Sequence, residues 1–213
     1  LGILNKIKIV HLNLLKGLDV TKEIQFGNYD EIYNLAAQSF VEQSFSNPIN
    51  TTDVNTLGVI RILEAIRVFS KQTKFYQASS SEMFGNTKTK FQSEKTKFHP
   101  ISPYAISKLH SHLILNIYRS AYSMYCSSGI LFNHESPLRG DEYVTKKIVR
   151  DLIKVKQNTL SCLVLGNIYS VRDWGYSADY VEAMWKMLQQ KKPDDFVISS
   201  GSTHTVKTFI NKA

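Results

Sequence analysis

Tyr104 and Lys108 stand four residues apart in Tyr-Ala-Ile-Ser-Lys, a spacing that puts both side chains on one face of a helix. An ammonium beside a phenol favours the phenolate and lowers its pKa from about 10. Such a tyrosine can take the proton of a substrate alcohol as hydride leaves the same carbon. Pairs at this spacing also arise by chance, so context decides. Pro103 precedes the tyrosine, where a helix would open, and Ser80 closes a short apolar run upstream. Ser80-Ser81-Glu82 is the second candidate. In an extended segment residues 80 and 82 point the same way, so a hydroxyl and a carboxylate would face one pocket. The carboxylate could then act as a base on a carbon acidified by a neighbouring ketone; a solvated serine-rich turn is the alternative.

Two further stretches carry donors. Asn133-His134-Glu135-Ser136-Pro137-Leu138-Arg139 follows the apolar run Gly129–Phe132 and could contact a cofactor, or be surface structure. Arg172-Asp173-Trp174-Gly175 offers a guanidinium able to grip a diphosphate through two parallel bonds, or a surface ion pair beside a packed tryptophan. A metal site is not indicated: His110 and His112 lie two apart on a helix and point to different sides. The two cysteines, Cys126 and Cys162, form no disulfide framework and are expected to be buried thiols in a reducing cytoplasm.

The elements that must position these groups alternate. Lys6–Leu14 reads as a strand with period-two apolar residues, and Glu31–Ala37 as a strand buried on both sides. Thr51–Phe69 places Val54, Leu57, Ile60, Leu63 and Ile66 at helical spacing. A strand at Lys74–Ser79 and a polar loop, Gly85–Ile101, precede the helix opened by Pro103, which is expected to run to about Tyr125. Strands are expected at Gly129–Phe132, Cys162–Leu165 and Phe196–Ser199, with helices at Tyr143–Lys156 and Ala178–Gln190. Strand, helix, strand, helix implies an α/β fold, a doubly wound parallel sheet with helices on both faces. Ligands of such sheets bind at the carboxyl ends of the strands. That rule selects Asn13-Leu14, Ala36–Ser39, Ser80–Glu82 and Asn133–Arg139.

One part of a dinucleotide site is not in the chain. The backbone of closely spaced glycines normally approaches the pyrophosphate at a helix N-terminus, yet no two of the ten glycines stand closer than nine residues apart. Either the protein is not a dinucleotide enzyme, or a first strand–turn–helix upstream of Leu1 supplies it. The net charge of +8 comes from scattered lysines with no aromatic interleaving, which favours solvated surface or an anionic small molecule over nucleic acid. No apolar run approaches the roughly 20 residues of a membrane span.

The stretches EIYNLAAQSFV, FYQASSSEMFG, SPYAISK, GILFNHESP, RDWG and DYVEAMWKMLQQ closely resemble the GDP-mannose 4,6-dehydratases, a family of extended short-chain dehydrogenases. The resemblance runs from about Lys6 to the end of the chain. It implies a Rossmann domain lacking its first β-α-β unit over residues 1–140, and part of a smaller GDP-sugar domain, with the remaining Rossmann elements, over 141–213. It implies bound NADP, GDP-mannose as substrate, homo-oligomers, and a cytoplasmic role in making an activated deoxyhexose precursor. By position, Tyr104 and Lys108 match the oxidising pair, Glu82 the base acting at sugar C5, and Ser80 an active-site threonine. Asn13, Leu14, Leu35, Ala36, Ala37, Gln38, Ser39, His134 and Arg139 match cofactor contacts. Ser81, Asn133, Lys147 and Arg172 match residues that handle the GDP-sugar. Several positions depart from the family. Asn13 replaces an aspartate and Leu138 an arginine, Ile49-Asn50 replace Glu-Tyr, and Tyr176 and Ala178 replace His and Lys. The first strand, glycine turn, first helix and second strand of the family would precede Leu1, and the rest of its sugar domain would follow Ala213.

Overall fold

Short apolar runs bounded by turn residues pair side by side because each buried N–H and C=O needs a partner. The computed structural model describes residues 2–213. In chain order its elements are α1 (Gly17–Gly27), β1 (Glu31–Asn34), α2 (Val41–Ser46), α3 (Pro48–Thr52), α4 (Gly58–Phe69), β2 (Lys74–Ser80), α5 (Pro103–Ala121), β3 (Cys126–Leu131), β4 (Asn133–Glu135), α6 (Val144–Lys156), β5 (Val171–Tyr176), α7 (Ser177–Leu188), β6 (Asp195–Ile198), β7 (Thr203–Thr205) and α8 (Val206–Lys212). A π-helical turn, Asp53–Leu57, joins α3 to α4.

Strands β1, β2, β3 and β6 form one parallel sheet in that order. Successive side chains leave opposite faces, and β2 shows the consequence. Phe75 enters a core with Leu63 and Ile66 of α4, Leu115 of α5, and Met124. Tyr76 enters a second core with Tyr180, Met184, Met187 and Leu188 of α7. The sheet is therefore covered by helices on both faces, the doubly wound arrangement expected. A fully buried side chain of this size contributes about 1.5–3 kcal/mol. A smaller sheet places β5 between β4, parallel to it, and β7, antiparallel.

Helix α5 is the longest element and its ends are specified locally. The Ser102 hydroxyl accepts the Ala105 N–H at 3.1 Å and Pro103 fills the first helical position, a strong N-terminal signal. Its buried face carries Tyr104, Ala105, Ser107, Lys108, Ser111, His112, Leu115 and Tyr118. His110 lies on the exposed side and His112 is buried.

Several expected features differ. Lys6–Leu14 forms no strand; residues 4–6 make a single 3-10 turn and the apolar side chains Ile7, Ile9, Val10 and Leu12 are exposed. Alternation needs a neighbouring strand to become a strand, and among the described residues none lies beside this segment. For the same reason β1 is an edge, with Ile32 and Tyr33 half-buried rather than buried on both sides. Cys162–Leu165 also forms no strand, and Val164 is exposed. Cys162 is exposed, so only Cys126 is a buried thiol. Helix α5 ends at Ala121, before Tyr125. Strands β5 and β7 were not foreseen.

Candidate active site

The parallel sheet brings the carboxyl ends of β1, β2 and β3 to one edge, and the cavity lies there. Strand β2 ends at Ser80, and the chain tightens at once into a 3-10 turn, Ser81–Phe84, in which Ser80 Oγ accepts the Glu82 N–H at 3.2 Å. Ser80 and Glu82 are thus not successive residues on one face of a strand, as extended spacing implied. The turn, not the pleat, places both on the cavity wall. Gly85 closes this turn at φ +50°, where a Cβ would stand 1.8 Å from the His99 carbonyl oxygen. That close approach lets His99 N–H donate to the Met83 carbonyl at 3.0 Å, which returns the loop to the start of α5 and brings Tyr104 against Ser80.

The cavity has a volume of about 990 Å³, at the upper end for a small-molecule site. Ser80, Ser81, Glu82, Tyr104 and Lys108 line it with Leu35, Ala37 and Ser39 after β1, Asn133, His134 and Arg139 from β4 and the loop beyond, and Arg172 of β5. Tyr104 and Lys108 are both buried. Lys108 Nζ donates to the Ala78 carbonyl at 2.9 Å and sits 5.8 Å from the centre of the Tyr104 ring. Burial dominates both groups. It pushes the Tyr104 phenol up to about 12, against a lowering hydrogen bond from Ser80, with the Glu82 charge adding to the rise and Arg139 opposing it. Burial also brings Lys108 down to about 8. The expected lowering of the phenol by the lysine is therefore absent from this arrangement, where desolvation of the phenolate dominates.

The remaining candidates divide. The His134 ring stacks on Tyr180 with centroids 4.6 Å apart, and its Nδ1 is 2.9 Å from the Phe132 carbonyl oxygen. Arg139 Nε lies 3.3 Å from Glu135 Oε2 yet makes no hydrogen bond. Arg172 is exposed and donates to the Val171 carbonyl. Asn13, Leu14, Ala36, Gln38 and Lys147 are not in the cavity wall. Asn13 Oδ1 accepts the Leu15 N–H at 2.9 Å, and Leu14 is packed in the core of α1 and α4, its carbonyl taking a bond from Arg61. Gln38 lies behind the wall, its backbone held by Asn55 in the π-helical turn.

Asn55 and Tyr143 escaped the sequence reading. Asn55 ties Gln38 to Ser107 one turn past Tyr104. An irregular helical turn leaves no periodic trace, so no pattern marks it. Tyr143 stands just ahead of a helix, where an aromatic residue reads as packing, but it lines the cavity opposite Ser39. Among the described residues no cluster of three or more His, Cys, Asp or Glu could hold a metal, and no helix is long and apolar enough to cross a membrane.

A parallel sheet covered on both faces, with a Tyr–Lys pair opening a helix beside the strand ends, defines a protein of the doubly wound α/β class. Similar solved structures agree on the fold. RMD from Pseudomonas aeruginosa complexed with NADPH superposes with a TM-score of 0.88 at 23% identity, over 96% of this chain and 70% of that one. UDP-glucose 4-epimerase from Thermotoga maritima gives 0.87 at 20% identity, over 98% and 69%.

Sequence narrows the class. A family model described as GDP-mannose 4,6 dehydratase matches residues 2–213, and the chain belongs to that family. GDP-mannose 4,6 dehydratase 1 of Arabidopsis thaliana is 52% identical over 203 residues, 93% of this chain and 54% of the relative. GDP-mannose 4,6-dehydratase of Vibrio cholerae is 48% identical over 200 residues, again 93% and 54%. The chain spans about half the length of the curated relatives it matches.

Proposed function

We propose that this chain carries the reacting half of an enzyme that dehydrates GDP-mannose to GDP-4-keto-6-deoxy-mannose with NADP. The observation that carries the reading is the meeting of Tyr104, Ser80 and Glu82 in one cavity, near enough for the Ser80 hydroxyl and the Glu82 charge to act on the phenol. Residues 1–140 would serve the cofactor and residues 141–213 the GDP-sugar, the latter also returning α7 and β6 to the main sheet.

The wall fits the reacting end of a nicotinamide nucleotide. Leu35 and Ala37 offer small and apolar surface, and Lys108 spends one of its three N–H donors on Ala78, leaving two for ligand hydroxyls. Ser39, His134 and Arg139 would complete that contact, while Ser81, Asn133 and Arg172 would meet the GDP-sugar. A nicotinamide held there would supply reversible hydride acceptance between sugar C4 and C6, with no net redox change.

The chain's own groups would do the proton chemistry. Tyr104 accepts the proton of the C4 hydroxyl, steadied by a hydrogen bond from the Ser80 hydroxyl. The C4 ketone then acidifies C5. Glu82 removes the C5 proton and passes it to the C6 hydroxyl, which departs as water. A proton then returns to C5 from solvent by way of Glu82 as hydride reaches C6, matching the one taken from the C4 hydroxyl. The test is incubation of the protein, expressed to its natural ends, with GDP-mannose and NADP. A 4-keto product lighter by one water is expected. A product of unchanged mass would point instead to an epimerase on the same scaffold, and no conversion would sink the reading.

A further inference from the structure

Two rims of the cavity are joined by a residue with no assigned role. Tyr143, just before α6, has its hydroxyl 2.8 Å from Ser39 Oγ, in the segment after β1. Its ring meets Phe40 edge-on, with centroids 6.2 Å apart. The Arg139 guanidinium lies over the Tyr143 ring, 3.5 Å from its centre. Arg139 needs such a platform: its Nε is buried without a hydrogen bond, and its acidic neighbour Glu135 also accepts a bond from Thr145 of α6 at 2.8 Å. Stacking on an aromatic face holds a guanidinium without using its donors. Tyr143, Arg139 and Ser39 line the same cavity as Tyr104.

We propose that Tyr143 is a positioning residue of this site. Its hydroxyl fastens the Ser39 rim to the Arg139 rim, and its ring holds the Arg139 guanidinium in the cavity wall with the guanidinium's donors free for a ligand oxygen. The two functions are separable. Phenylalanine keeps the platform and loses the fastening, whereas leucine loses both. The assignment rests on the proposed reaction only in naming the ligands; the geometry is independent of it.

The experiment is a double-mutant cycle of Tyr143→Phe and Ser39→Ala in the protein expressed to its natural ends, with Tyr143→Leu alongside. It is read by kcat/KM for GDP-mannose and, separately, by NADPH binding through the fluorescence of the nucleotide. One neutral hydrogen bond corresponds to a change of about fivefold. Each single variant is expected to lose about that much in either readout, and the double variant no more than either, since both remove the same bond. Tyr143→Leu is expected to lose about fiftyfold through the added loss of stacking. A merely structural role would lower the melting temperature without this non-additivity. Single losses that add, or are absent, in both readouts would overturn the inference. A wild-type protein that binds NADPH but does not turn over GDP-mannose would sink the functional reading alone, and the binding cycle would still decide the role of Tyr143. A wild-type protein that does neither would overturn both.

Discussion

Asn55 grips Gln38 through both of its backbone groups: the Gln38 N–H donates to Asn55 Oδ1 at 2.8 Å, and Asn55 Nδ2 donates to the Gln38 carbonyl at 3.0 Å. The same Nδ2 reaches Ser107 Oγ at 3.0 Å, and the Ser111 hydroxyl bonds the Asn55 carbonyl. One buried amide therefore sets the segment after β1 against the helix that carries Tyr104 and Lys108. Asn55→Ala removes three bonds at a buried position and should cost about 2–4 kcal/mol in urea unfolding. Turnover should fall further than the loss of folded protein explains. A variant as stable and active as its parent would show that packing alone sets this distance.

Tyr104 and Lys108 should separate stability from activity. Tyr104→Phe is expected to lower turnover by about 10²–10⁴-fold while leaving the melting temperature almost unchanged. Lys108 is held at about 8, below its ordinary 10.5. A depressed lysine favours folding above its free pKa, and that contribution is lost as pH falls through 10.5 towards 8. Lys108→Met should therefore be more stable than the parent at pH 7, by roughly 2–3 kcal/mol, and inactive. Equal stability of the two at pH 7 would show that the ammonium is not desolvated.

His112 is a buried titratable group whose protonation should destabilise the fold in acid. Its Nδ1 is 3.0 Å from Ser128 Oγ, its Nε2 is 3.5 Å from Asp195, and the edge of its ring meets Phe98. Burial lowers its pKa, against Asp195, which raises it, while Arg119, paired with Asp195, lowers it further. The folded state thus binds the proton less readily than the unfolded chain, so stability is full above about 6.5 and declines as pH drops below it. Thermal melts from pH 7.5 to 5 should fall more steeply for the parent than for His112→Gln. Parallel slopes would assign the acid sensitivity to other groups.

Gly85 tests how the turn after β2 positions Glu82. An added methyl would overlap the His99 carbonyl and hold a left-handed backbone at φ +50°. Gly85→Ala should cost about 2–4 kcal/mol and move Glu82 and the start of α5 together. Unfolding in urea would check the first effect, and loss of turnover at full occupancy of the native state the second.

The parts legible in the sequence are those fixed by local rules. Pro103 after a capping serine announces α5, and Tyr104 and Lys108 then share a face by helical spacing alone. The strands β2, β3 and β6 each hold a short apolar run that no other element explains. What was not legible depends on distant partners. Lys6–Leu14 alternates like a strand but has no strand beside it, and Cys162–Leu165 is apolar without an edge to join. Ser80 and Glu82 reach one cavity through a tight turn that an extended reading cannot anticipate. Tyr143 and Asn55 matter through residues about a hundred and about fifty positions from them, Ser39 and Ser107, and contacts at such separations leave no periodic mark.

Glu82 is the residue on which the proposed elimination turns, and solvent deuterium reads it directly. GDP-mannose should be converted in D2O by the protein expressed to its natural ends, with NADP, and the product examined by NMR. If Glu82 exchanges the C5 proton with solvent, the 4-keto-6-deoxy product carries one deuterium at C5, and a folded Glu82→Gln variant forms neither product nor C5-exchanged sugar. Product with hydrogen retained at C5, or an unchanged rate in Glu82→Gln, would contradict the role of Glu82 and with it the reading of this cavity as a dehydratase site.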